Sequence, residues 1–238
     1  MSGTQLLAVA SSIVIVLFAA LVFRRYAQRG GTHLLLWGIG LSMFGIGSLA
    51  EAYSVLAWHP VVFRLWYLTG AILNAAWLGQ GTVFLLSKRK RLARILLGLL
   101  VLGSVLGTYL IFTTPLNPAR FNTREPLSTQ YREILPPGAT VRKLTPLFNI
   151  YGLITLVGGA LYSAWLLYRK EIVPNRVIGN ILIAGGALAI GFASTLVRLG
   201  LGDYLYLGEL AAAILMFAGF LLATARAPAQ VAREVTAS

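Results

Sequence analysis

Seven stretches of this chain are too long and too uniformly apolar for the interior of a globular domain. They run at about 4–23, 34–57, 61–86, 92–113, 146–168, 177–199 and 204–225. A helix needs about 20 apolar residues to cross the hydrocarbon core, and in lipid every backbone polar group must be satisfied within the element itself. The sequence therefore predicts an all-α membrane protein of seven transmembrane helices. Only 11% of the residues are charged, against about a quarter in a soluble domain. Seven spans use up most of the 238 residues and leave no room for a soluble catalytic domain, so the whole chain, 1–238, reads as one transmembrane domain.

The basic residues give the orientation. Arg24, Arg25 and Arg29 follow the first stretch; Lys88, Arg89, Lys90, Arg91 and Arg94 separate the third from the fourth. Arg169, Lys170 and Arg176 follow the fifth, and Arg226 and Arg233 the seventh. If the spans alternate, all of these fall on one side, which the positive-inside rule makes cytoplasmic. The expectation is a multi-pass plasma-membrane protein, of bacterial inner-membrane type, with its N-terminus outside and its C-terminal tail, 226–238, inside. The start, "MSGTQLLAVASS", lacks the basic opening of a signal peptide and is expected to belong to a retained first span. The net charge of +13 thus reads as a topology signal, with the lipid bilayer rather than nucleic acid as partner.

One long connector, 114–145, lies on the outer side in this scheme. Rich in proline and polar residues, it is either a solvated connector or a lid, since structureless loops of this length are uncommon unless functional or disordered. The spans also show an internal echo. "ALVFRRY" (20–26) aligns with "WLLYRKE" (165–171), "GIGS" (45–48) with "GFAS" (191–194), and "YLTG" (67–70) with "YLGE" (206–209). The expectation is a parallel 3+1+3 repeat, with units at about 4–86 and 146–225 and the helix at about 92–113 as linker.

Charged side chains inside the spans are the candidate site. Glu51 lies about six residues before the expected end of the second span, roughly 9 Å deep at 1.5 Å per residue. Glu209 stands at similar depth in the seventh, and Arg64 and Arg198 sit at the outer ends of the third and sixth. A charge at mid-membrane costs roughly 2.5–3.5 kcal/mol, so the expected geometry pairs Glu51 with Arg64 or Arg198, and Glu209 with Arg198. Three roles remain open: an ion-pair clamp between helices, an outward-facing ligand or ion pocket, or snorkelling arginines without a shared partner. Asn74, with Trp77 and Gln80 on the same flank, is either a cavity floor or an interhelical hydrogen bond. Tyr67 and Tyr206 either line the pocket or belong to the aromatic belt.

Other chemistry is limited. Cysteine is absent and the two histidines, His33 and His59, are isolated, so no metal site, cofactor or catalytic group is expected. The last stretch holds no lysine for a retinal Schiff base, and the prolines that hinge the sugar-exporting 3+1+3 transporters are missing. The segment "LAEAYSVLAWHPVVFRLWYLTGAIL" resembles the seven-helix N-terminal sensor region of some bacterial histidine kinases, through Glu51, Trp66, Tyr67, Leu68 and Gly70. The resemblance covers that hairpin and the overall topology. It implies a receptor-like, non-enzymatic module for signal transduction that binds a small molecule; with no kinase domain after its last span, the chain would signal through a partner protein. The rivals are a small-solute transporter and a structural subunit of a membrane complex.

Overall fold

A computed structural model of the chain describes residues 3–170, 174–198 and 204–225, with the side chains of 3–6, 8, 174, 194–198 and 204 outside that description. The described residues form helices and no strands. Besides a 3₁₀ turn at Pro118–Arg120, the helices are α1 (Gly3–Arg29), α2 (Thr32–Ser54), α3 (Pro60–Leu86), α4 (Lys90–Thr113), the short α5 (Leu127–Ile134), α6 (Val141–Arg169), α7 (Pro174–Arg198) and α8 (Tyr204–Thr224). All but α5 are long and apolar enough to cross a membrane, so the chain has the helices of a multi-pass membrane protein.

Small residues set the packing. In α1 against α2, Gly38 faces Phe23 and Gly45 faces Ile15; in α2 against α3, Gly40 faces Leu78 and Gly47 faces Gly70. Both pairs run antiparallel, as does α7 against α8, where Gly179 meets Ala223 and Gly208 meets Ala193. By contrast α3 and α6 run parallel, with Gly152 on Ala75, Gly79 on Thr155 and Gly159 on Thr82. Parallel too are α1 and α8, where Phe18 stacks on Phe217 at 5.2 Å and Arg25 reaches Thr224. With Val157 and Ala160 of α6 packed on Ala184 of α7, six helices close a ring in the order α1, α2, α3, α6, α7, α8.

Outside that ring lies α4. It is pinned to α3 by hydrogen bonds from Trp77 to Ser104 (3.2 Å) and from Gln80 Nε2 to the Ala93 carbonyl (2.8 Å). It is the most apolar of the seven, as suits a helix with lipid on most of its circumference.

Two helix boundaries differ from the sequence expectation. The second span ends at Ser54 rather than at about 57, because Pro60 forces His59 into extended backbone (φ −146°, ψ 125°) and the turn begins before it. Glu51 therefore stands in the last turn of α2, not two turns deep. The fifth span begins at Val141 rather than 146, with Pro146 inside α6, where the proline forgoes one hydrogen bond, to the Arg142 carbonyl in the first turn. Both α3 and α6 widen into π-helical turns, at Trp66–Leu73 and Leu153–Gly158.

The connector 114–145 is an ordered lid across one end of the bundle. Leu127, Ile134, Leu135 and Val141 are fully buried with Phe63, Trp66, Tyr67 and Ile111. Burying such an aliphatic side chain is worth about 1.5–3 kcal/mol relative to leaving it in water. Tyr131 packs on Trp66 (6.1 Å) and Tyr67 (5.8 Å), and Phe121 on Trp58 (5.0 Å). Inside the lid, Gln130 bonds the Asn122 N–H and the Asn122 and Glu125 carbonyls at 2.7–2.9 Å. The solvated-connector alternative is overturned: the apolar positions of α5 recur at one face of a short helix, and that face is in the core.

Candidate functional site

Three of the charged quartet are described, and among them Arg64 does not join the two acids. The Glu51 side chain is 1% exposed and its Oε1 accepts a hydrogen bond from the Leu127 backbone N–H (2.8 Å) and one from the Tyr206 hydroxyl (3.3 Å). An oriented N–H at a helix start is a ready partner for a carboxylate, and here the lid supplies it. Glu209 lies within electrostatic reach of Glu51. The Oε2 atoms of both are buried without a hydrogen-bond partner.

Arg64 turns the other way. Its Nε donates to the Ile111 carbonyl (3.1 Å) and its Nη2 to that of Thr114 (3.2 Å), with the guanidinium over the Phe112 ring. The expected Glu51–Arg64 pair is thus not formed: the bare carbonyls at the end of α4 claim the guanidinium instead. Arg198 was expected to serve both acids; its side chain lies outside the described residues. Among the described residues neither Glu51 nor Glu209 has an ion-pair partner.

The remaining candidates are packing groups. Tyr67 bonds Thr145 at the base of the lid (3.0 Å). Asn74 is buried, and its Oδ1 accepts the Ala75 N–H (2.6 Å); it does not line the cavity described below. Gln80 bridges three helices, accepting from the Tyr151 hydroxyl of α6 and donating to Ala93 of α4. A gap under the lid, between Trp58, Phe63 and Leu127, is too narrow to admit a water molecule. The space beside Glu51 and Tyr67, where an outward pocket is expected, is occupied by side chains and backbone of the lid.

Space lies at the opposite end. A cavity of about 450 Å³ occupies the centre of the six-helix ring, and each ring helix lines it while α4 does not. Its walls are apolar, with Phe18, Leu41, Leu78, Leu156, Met216 and Phe220. Its mouth is basic, with Arg25, Arg29, His33 and Arg176. The volume falls within the ~300–1,000 Å³ of ligand pockets, and an apolar wall with a few convergent polar groups is their usual composition.

Local sequence builds the mouth. Gly30 and Gly31 take φ of 65° and 101°, a left-handed turn that glycine makes without strain, and it folds α2 back against α1 at the rim. Arg25 then sits over the end of α8. Its Nη2 donates to the Thr224 carbonyl (3.0 Å) and its guanidinium lies over Phe220 at 5.2 Å. Its other terminal nitrogen, Nη1, is buried and has no partner. Trp37 stands on the wall, with its indole on Thr82 (3.4 Å) and His33 edge-on to its ring (5.4 Å).

Sequence reasoning passed over Arg25 because three arginines after a span look alike as topology signals. A signal existed: Phe18, Val22, Arg25 and Arg29 recur at helical spacing on one face, which Arg24 leaves. Comparison of the chain with protein-family models, curated proteins and solved structures finds no match.

Proposed function

We propose that this protein is a non-enzymatic, ligand-binding membrane module of sensor type, and that its site is the central cavity of the six-helix ring. The observation that carries this reading is the cavity itself: six helices converge on one apolar space with basic residues gathered at one end. On the positive-inside rule we take that mouth to face the cytoplasm and the lid to lie on the outer side, and we take the membrane to be a bacterial inner membrane. A change of occupancy would be read by a partner protein through the ring helices, in keeping with the resemblance to sensor regions of histidine kinases.

A carrier is the second reading, favoured by the ring order. Rotating the sequence of helices by three exchanges α1, α2, α3 with α6, α7, α8 and preserves every neighbour, the arrangement a duplicated 3+1+3 transporter would have. Against passage stands the lid, whose buried aliphatic side chains would all have to leave the core. One experiment separates the two. The chain has no cysteine, so Lys88→Cys, Asn122→Cys and Ser163→Cys are unique labels. In sealed vesicles, a membrane-impermeant maleimide should reach Lys88→Cys and Ser163→Cys from the cytoplasmic face and Asn122→Cys from the other. Labelling of Ser163→Cys from both faces would favour the carrier, and none from either face would remove the cavity as a site.

A further inference from the structure

The cavity combines two features that rarely serve the same small molecule. Its walls are mainly aliphatic and aromatic side chains, and most of the polar ones among them are engaged: the Trp37 indole and the Thr82 hydroxyl bond each other, the Asn180 amide donates to the Arg176 carbonyl and the Thr224 hydroxyl to that of Phe220, which leaves Ser163. A sugar, an amino acid or a nucleotide would lose its hydration there with little beyond Ser163 to replace it, at a cost of several kcal/mol for each unpaired polar group. At the mouth, by contrast, Arg25, Arg29, His33 and Arg176 gather, and no described acid lines the space.

Within that mouth the Arg25 guanidinium is half used. Thr224 and the Phe220 ring fix its plane, while Nη1 is buried without an acceptor. A buried donor left unsatisfied is costly, and a guanidinium's natural complement is a carboxylate or a phosphate. The walled depth also fits a chain: from Arg25 to Phe18 on α1, and from Ala223 to Met216 on α8, are seven residues, about 10 Å at 1.5 Å per residue.

We propose that the cavity binds a single-chain amphiphile with an anionic head, the carboxylate or phosphate held at Arg25 with Arg29 and Arg176 nearby, and the alkyl tail directed toward Leu41, Leu78 and Met216. This rests on the cavity being the ligand site and adds the chemistry of its ligand. The lipid-facing surface of a membrane protein attracts tails of every kind; the head-group requirement is what distinguishes this site from a greasy gap. A free fatty acid and a lysophospholipid shed by the membrane share this chemistry.

The test uses the full-length protein in phosphatidylcholine nanodiscs, with dodecanoate, dodecyl phosphate and dodecanol as probes. Binding is read by protection of Ser163→Cys from maleimide. Dodecanoate and dodecyl phosphate should protect saturably, and dodecanol should need about tenfold more or greater, the loss of one charge-assisted bond. Arg25→Gln should weaken protection by dodecanoate by about the same factor. Arg25→Lys should restore part of it, and Arg24→Gln, off the cavity, should leave it unchanged. Equal protection by dodecanol, or an Arg25→Gln protein that protects as wild type does, would overturn the anionic-head proposal while leaving the cavity as a site. No protection by any probe would sink the site itself. Native mass spectrometry of protein extracted from its membrane then separates the sources: bound fatty acid or bound lysophospholipid upholds the class, and a retained neutral lipid alone rejects it.

Discussion

Glu51 holds the lid: its carboxylate accepts the N–H of Leu127, 76 residues further along the chain, at 2.8 Å. A side chain near the end of α2 thereby serves as the cap of α5, whose own preceding residue, Pro126, offers no side-chain acceptor. The acid sought as half of a ligand pocket is a fastening between the bundle and its cover.

Removing that fastening should loosen the lid without unfolding the ring. Glu51→Ala loses a cap worth about 1–2 kcal/mol, whereas Glu51→Gln keeps an acceptor oxygen and should lose less. Arg124 lies in the exposed part of the lid, so tryptic cleavage after it should be faster in Glu51→Ala than in wild type. Unchanged cleavage would mean that the apolar contacts of Leu127 and Ile134 hold α5 alone.

Arg64 and Glu51 should behave as strangers. Arg64→Ala uncovers the Ile111 and Thr114 carbonyls at the end of α4 and should cost about 1 kcal/mol. In a double-mutant cycle with Glu51→Ala, measured by thermal unfolding in nanodiscs, the two losses should add to within about 0.5 kcal/mol. A larger coupling would reinstate an ion pair between them.

The parallel contact of α3 with α6 should be intolerant of a methyl group. A Cβ on Gly152 would stand 2.6 Å from the Ala75 carbonyl carbon, and backbone cannot rotate aside. Gly152→Ala should destabilise by about 1–3 kcal/mol. Gly98→Ala on α4, with nothing within 4 Å, should be neutral or slightly stabilising. Equal unfolding temperatures for the two variants would contradict the observed approach of the helices.

Gln80 should resist apolar replacement. Its amide joins α3 to Tyr151 and to the Ala93 carbonyl, so Gln80→Leu leaves a buried hydroxyl and a carbonyl short of partners, at about 1–3 kcal/mol. Pairing it with Tyr151→Phe should recover part of that loss, again read by thermal unfolding.

The spans were legible because each carries its own evidence: an apolar run of sufficient length needs no knowledge of its neighbours. The lid was half legible. Leu127, Tyr131 and Ile134 are spaced as one face of a short helix, yet Pro126 and the polar residues around them argued as strongly for a loose connector. What no local pattern contains is which helices touch. Arg64 was assigned to Glu51 because both sit near the same membrane depth, and depth says nothing about azimuth around the bundle. The cavity is the extreme case, since its lining comes from six helices and its most telling atom, Arg25 Nη1, belongs to a residue whose sequence context marks only a membrane boundary.

One helix walls nothing, and the direction of its neighbours explains why it is there. Since α3 and α6 point the same way, a chain leaving the first must recross the bilayer before the second can begin, and α4 is that return journey. Apart from Ala93, Leu100, Ser104, Ile111 and the small residues facing α3 and α6, its sequence answers to little but solubility in lipid. Substitution should accumulate there with the least consequence, and a probe or tether could be attached there without disturbing what the other six enclose.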